Sequence, residues 1–73
     1  MGDNCIIPQL IERCDFAGRS VWRYLIQSTI GDLHIVQHET REEEVVDDYI
    51  GWSNQKAEKA FERTTIKIIK GKI

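Results

Sequence analysis

Between Val21 and His38 the chain reads "VWRYLIQSTI", then "GD", then "LHIVQH", two runs rich in β-branched and aromatic residues on either side of turn-forming residues. The pattern predicts a hairpin. With Gly31 and Asp32 as its central turn residues, Ile30 opposes Leu33, Ser28 opposes Ile35 and Ile26 opposes Gln37. One face then collects Trp22, Tyr24, Ile26, Ile30, Leu33 and Ile35, and is expected to be the core. The reverse face carries Val21, Arg23, Leu25, Gln27, Thr29, His34, Val36 and His38, a mixed set in which five of the eight are polar. Slipping the register by one residue would bury His34 and Arg23 instead, which favours the first pairing.

Beyond the hairpin the period changes. Thr40 followed by Glu43 has the form of a capping box, and Glu42, Glu43 and Glu44 would lie where a helix start has unpaired N–H groups and a favourable dipole. A helix is therefore expected from about Arg41. At roughly 100° per residue, Val45, Val46, Tyr49, Ile50, Ser53, Ala57, Ala60 and Phe61 form one stripe with Trp52 at its margin, and Lys56, Lys59 and Arg63 lie toward the end. Gly51 and Asn54 are poor formers in mid-helix, so a kink or break is expected there. The closing "TTIKIIKGKI" reads by composition as a strand, with the Ile68-Ile69 doublet breaking alternation.

The first twenty residues admit two readings. Doublets at Ile6-Ile7 and Leu10-Ile11, followed by Cys14, have helical spacing, with Asn4 as cap and Pro8 in the first turn. The rival is an edge strand that turns through "DFAGR" into the hairpin and makes a four-stranded sheet.

Assembled, the expectation is one α+β domain over residues 1–73. A small antiparallel sheet, the hairpin plus the C-terminal strand in order 2-1-3, packs against one long helix, with a short N-terminal helix or edge strand added. The order follows from a right-handed crossover through the helix. The helix would cover Trp22, Tyr24 and Ile26, putting Trp22, Tyr24, Ile26, Ile35, Tyr49, Ala57 and Phe61 in one cluster.

Composition narrows the class. At 73 residues, 41% hydrophobic and 30% charged, the chain is an ordinary globular length of sequence with room for one modest core, so a homodimer is a live expectation. No apolar run approaches the roughly 20 residues of a membrane span, and "MGDNCIIPQL" lacks a signal peptide's basic start, so no membrane partner and a cytoplasmic location are expected. Ile6 stands where a myristoylation signal needs serine or threonine. Cys5 and Cys14 are then expected as thiols.

Candidate chemistry is thin. His34 and His38 are four residues apart, but along a strand that spacing is about 13 Å, too far for one zinc ion, and the two cysteines are not at knuckle spacing. No metal site and no cofactor are expected, and the histidines are read as solvent-facing. No nucleophile elbow, phosphate-cradling glycine loop or dinucleotide fingerprint occurs, and solvated carboxylates at a helix start have nothing to raise their pKa, so the chain is read as not an enzyme. Nucleic-acid binding would use a sheet face carrying Arg23, His38 and Lys67, against a net charge of −2.

The acidic stripe is the remaining oddity. In the expected helix Glu43/Asp47, Glu44/Asp48 and Glu58/Glu62 place like charges at i, i+4, each pair costing about 0.2–0.5 kcal/mol. Glu44, Asp47, Asp48, Glu58 and Glu62 are thus the candidate protein-binding residues, facing a partner with a basic surface. The expected function is a small non-enzymatic interaction or inhibitor module, of the kind phages use to occupy a groove, presenting an acidic helix face, an edge strand or an open sheet face. The alternative is a nucleic-acid-binding domain using the sheet face and the C-terminal lysines.

Overall fold

In a computed structural model that describes residues 7–73, four strands and one helix follow in simple order: β1 (Gln9–Phe16), β2 (Arg19–Ser28), β3 (Gly31–Glu39), β4 (Val45–Gly51) and α1 (Asn54–Ile69). The strands form one antiparallel meander, order β1-β2-β3-β4. This replaces the expected 2-1-3 order. The helix is the last element, so no crossover exists to return a strand to the sheet, and each strand pairs with its neighbour through a short turn.

Gln9 to Cys14 is strand, not helix, so the four-stranded rival reading holds for the described part of that segment, while Asn4 and Cys5 lie outside the described residues. Leu10 pairs with Tyr24 and Glu12 with Arg23, which leaves Ile11 as a bulged extra residue. The Leu10-Ile11 doublet that imitated helical spacing is this bulge. Its strand turns into β2 at Ala17 and Gly18, whose φ values of 53° and 76° are both positive, as a type I′ hairpin requires. Ala17 is the costly one, because its Cβ crowds the backbone there. Ala17→Asn is expected to stabilise the chain by about 0.5–1 kcal/mol, read as a rise of a few degrees in Tm.

The β2–β3 hairpin turns on Thr29 and Ile30, with Ser28 opposite Gly31, Ile26 opposite Leu33, Tyr24 opposite Ile35 and Trp22 opposite Gln37. The turn therefore precedes the expected Gly31-Asp32 centre. Ser28 Oγ accepts from Ile30 N–H and donates to the Gly31 carbonyl, while Gly31 takes a φ of 141° that suits glycine. The slip is an even number of residues, so the side chains that remain in the strands keep their faces, while Ile30, expected in the core face, is a turn residue 80% exposed.

The stretch after Thr40 is a turn followed by a strand, not a helix. Thr40 Oγ1 accepts from the N–H groups of Glu42 and Glu44, and Thr40 N–H donates to the Glu44 carbonyl, closing a loop in which Glu43 has φ 63°. The threonine performs the expected capping chemistry on a tight turn instead of a helix start. In β4, Val36 pairs with Tyr49 and Gln37 with Asp47, so Asp48 is a second bulge. A bulged strand puts apolar residues at spacings that resemble a helical stripe, which is why Val45, Val46, Tyr49 and Ile50 read as helical.

The helix begins where Gly51 and Asn54 argued for a break. Ser53 is its N-cap, accepting from Lys56 N–H at 3.1 Å. "TTIKII" is its C-terminal third, not a strand: Ala57, Ala60, Thr64 and Ile68 are buried along one stripe, and this packing overrides β-branched propensity. Lys72 N–H donates to Lys67 O and Gly71 N–H to Ile68 O, with Gly71 at φ 70°, which is a Schellman stop. Ile73 folds back against the core.

The helix lies on the opposite face of the sheet from the one expected. Val21, Val36, Ala57, Ala60 and Ile68 form the buried cluster, joined by Cys14, Tyr49 and Phe61 at its margin. The expected cluster is split: Tyr49, Ala57 and Phe61 are at the helix–sheet contact, whereas Trp22, Tyr24, Ile26 and Ile35 share the other side, where no element among the described residues lies over them. Small residues at 57 and 60 let the helix backbone approach Val21 and Val36.

Candidate interaction surface

The uncovered face is built in two rows that run straight across the sheet. One row is Leu10, Tyr24, Ile35 and Ile50; the other is Arg13, Trp22, Gln37 and Asp47. Ile26 and Leu33 extend the first toward the hairpin end. Leu10 and Ile50 at the two edges are 53% and 54% exposed, and the five central residues Trp22, Tyr24, Ile26, Leu33 and Ile35 are only partly buried by their neighbours. Among the described residues nothing lies over this apolar, aromatic sheet face; a contiguous exposed apolar patch is the kind of surface at which proteins meet partners or ligands.

The polar groups on this face are ordered. Trp22 Nε1 donates to Gln37 Oε1 at 2.9 Å, and Gln37 Nε2 donates to Asp47 Oδ1 at 2.7 Å, so one row is a hydrogen-bonded chain across three strands. At the β1 edge Asp15 accepts from Ser20 Oγ and from Arg13 Nε, and Arg13 Nη2 also reaches Ser20. These bonds, Ser20 first and Arg13 second, hold the Asp15 carboxyl below its ordinary range. A shallow hollow of about 250 Å³ lies here, lined by Leu10, Arg13, Ser20, Trp22, Tyr24 and Glu39.

The covered face holds the charged and imidazole groups that sequence reasoning put in solvent. Arg23 is 5% exposed, donating to Glu12 Oε2 at 3.2 Å and to Asn54 Oδ1 at 2.7 Å. His34 and His38 are each 6% exposed beneath the helix. His38 Nδ1 lies 2.7 Å from Asp48 Oδ2. Both histidines were expected on a solvent-facing surface; burial follows from the helix covering the face that they occupy. Among the described residues no three His, Cys, Asp or Glu side chains gather as metal ligands would.

The five carboxylates read as one acidic stripe lie in four different places. Glu44 is in the β3–β4 turn, Asp47 is on the open face, and Asp48 is turned inward to His38. Glu58 and Glu62 do lie on the exposed side of α1, beside a shallow groove that Glu12 and Lys59 also line. The stripe dissolves because residues 41–51 are not helical, and with it go the Glu43/Asp47 and Glu44/Asp48 repulsions. The proposed nucleic-acid set is dispersed too: Arg23 and His38 are buried, and Lys67 is in the last turn of α1. Asp48 accordingly has a structural task. Asp48→Ala leaves a buried imidazole without its partner and is expected to cost about 1–3 kcal/mol in urea unfolding.

Two other features frame the surface. Both outer strands are bulged, β1 at Ile11 and β4 at Asp48, which disturbs each edge as a template for a further strand. At the far end of the sheet a cleft of about 610 Å³ lies between the turns and the end of α1, where Arg19 Nη2 donates to the Glu39 carbonyl. Its lining carries no histidine or cysteine. No helix among the described residues is long and apolar enough to cross a membrane. Compared with protein families, curated proteins and solved structures, the chain matches none.

Proposed function

We propose that the chain is a small non-enzymatic protein-interaction module whose open sheet face is the docking surface. The observation that carries this reading is the placement of Trp22, Tyr24, Ile26, Leu33 and Ile35 together on the face that α1 leaves uncovered. Aromatic and aliphatic side chains on a stiff sheet give large contact area at small entropic cost, and the Trp22–Gln37–Asp47 chain fixes the polar groups among them. An inhibitor that covers another protein's groove is the narrower form of the same reading. The acidic helix face has lost three of its five members, and the bulged edges disfavour strand addition.

Photo-crosslinking from single positions tests it. A photoreactive residue at Tyr24 is expected to give protein adducts in the source cell, and one at Glu58 is not. Adducts from position 58 alone would move the surface to the helix. Binding to an oligonucleotide with steep salt dependence would replace the reading with phosphate recognition.

A further inference from the structure

The two halves of the open face complement one another, and we infer that its occupant is a second copy of this chain, packed face to face about a twofold axis parallel to the strands. This rests on the open face being a docking surface, and adds what docks there. Such an axis carries β1 of one copy over β4 of the other and β2 over β3, while keeping each row at its own level. The register already places Arg13 and Asp47 at opposite ends of one row, and both are exposed. The rotation therefore sets Arg13 against Asp47 of the second copy, twice, at the two rims of the interface.

Shape agrees with charge. The hollow beside Trp22 and Tyr24 lies on the β1–β2 half, and the exposed Ile50 stands on the β4 edge in the row of Tyr24. The same rotation brings Ile50 of each copy over the hollow of the other. The remaining charges are compatible as well: Asp15 falls opposite Val45, and Glu39, by continuation of the register, opposite Ser20. None of these residues is set directly opposite one of like charge. An in-plane axis perpendicular to the strands would stack β1 on β1 and β4 on β4, forfeiting both matches. The result is an aligned two-sheet sandwich with helices outside, an isologous dimer.

Need agrees too. Among the described residues the covered side has only Val21 and Val36 as fully buried larger side chains, and it also holds Arg23, His34, His38 and Thr64. A second sheet would give Trp22, Tyr24 and Ile35 the dry surroundings that α1 denies them. Four strands about 4.8 Å apart give a footprint of roughly 500 Å² per copy, at the small end of specific interfaces, so the concentrations to search are those of weak association, in the micromolar range.

The test is sedimentation over a concentration series through that range, with charge reversal. Wild type is expected to pass from monomer to dimer. Arg13→Glu and Asp47→Lys, each with unchanged far-UV circular dichroism, are each expected to weaken association roughly tenfold or more, because like charges then face across both rims. An equimolar mixture of the two variants recovers a heterodimer, and the double variant Arg13→Glu/Asp47→Lys recovers the homodimer. A wild type that stays monomeric throughout overturns the second copy, even where crosslinks from position 24 to another protein uphold the docking face. A dimer indifferent to both reversals overturns this arrangement, and recovery by the mixture but not by the double variant overturns the axis.

Discussion

Val36→Lys is expected to abolish folding, whereas Ile35→Lys, one residue away, is expected to keep it. Val36 is completely buried between β3 and α1, among Val21, Ala57 and Ala60. An ammonium there has no partner and must be desolvated, at a cost of several kcal/mol, against a total stability on the order of 4–10 kcal/mol for this length. Ile35 points to the opposite side, where a lysine reaches water directly. Far-UV circular dichroism and urea unfolding read the pair: a coil-like spectrum for Val36→Lys and a cooperative transition for Ile35→Lys. The reverse outcome would return the helix to the face of Trp22 and Tyr24.

That pair of residues also shows what was legible in the sequence. Alternation placed Trp22, Tyr24, Ile26, Leu33 and Ile35 on one face and Val21, Arg23, His34, Val36 and His38 on the other, and the structure keeps both sets intact. Alternation is silent about which set is covered. Counting apolar residues chose Trp22 and Tyr24, but the cover is decided by where β4 delivers the chain. Gly51 pairs with His34 on the inner side, and Tyr49 lies across Gly51 so closely that a Cβ there would sit 2.7 Å from Tyr49 Cζ. The Tyr49 hydroxyl accepts from Ser53 N–H at 3.2 Å, tying the strand end to the helix N-cap. These are contacts between a glycine, an aromatic ring and a cap, with no periodic signature.

The misplaced helix has a similar cause. Thr40 satisfies the backbone N–H groups of Glu42 and Glu44 as a capping residue would, and a turn has the same need as a helix start. The signal that argued correctly was Gly51, where a break was expected just before Ser53; Gly71 at the end of α1 carried the matching stop signal but lay in a segment read as a strand. Reading Ala57, Ala60, Thr64 and Ile68 as one stripe would have carried the helix through "TTIKII". The open face as a site was present in the sequence as a core, since a docking surface made of Trp, Tyr and Ile differs from a core only in being uncovered.

Arg23 is where the fold invests a charge to hold that arrangement, and removing its partners should cost far more than removing it. Its guanidinium bridges three elements: its own strand β2, Glu12 in the outer strand β1, and Asn54 at the first turn of α1. Glu12 is 43% exposed in its side chain, so Glu12→Gln alone should cost only about 1 kcal/mol, solvent screening much of what is lost. Glu12→Ala with Asn54→Ala strips both acceptors from a side chain 6% exposed, and is expected to cost about 3–5 kcal/mol in urea unfolding. Arg23→Met, which removes the charge together with its need, is expected to be neutral or to stabilise by about 1–4 kcal/mol. If Arg23→Met proves as damaging as the double variant, the bridge is itself a net source of stability. If the asymmetry holds, the bridge acts by selection between faces: a guanidinium that must meet Glu12 and Asn54 can do so only with α1 on the side of Val21 and Val36, which leaves Trp22 and Tyr24 in the open.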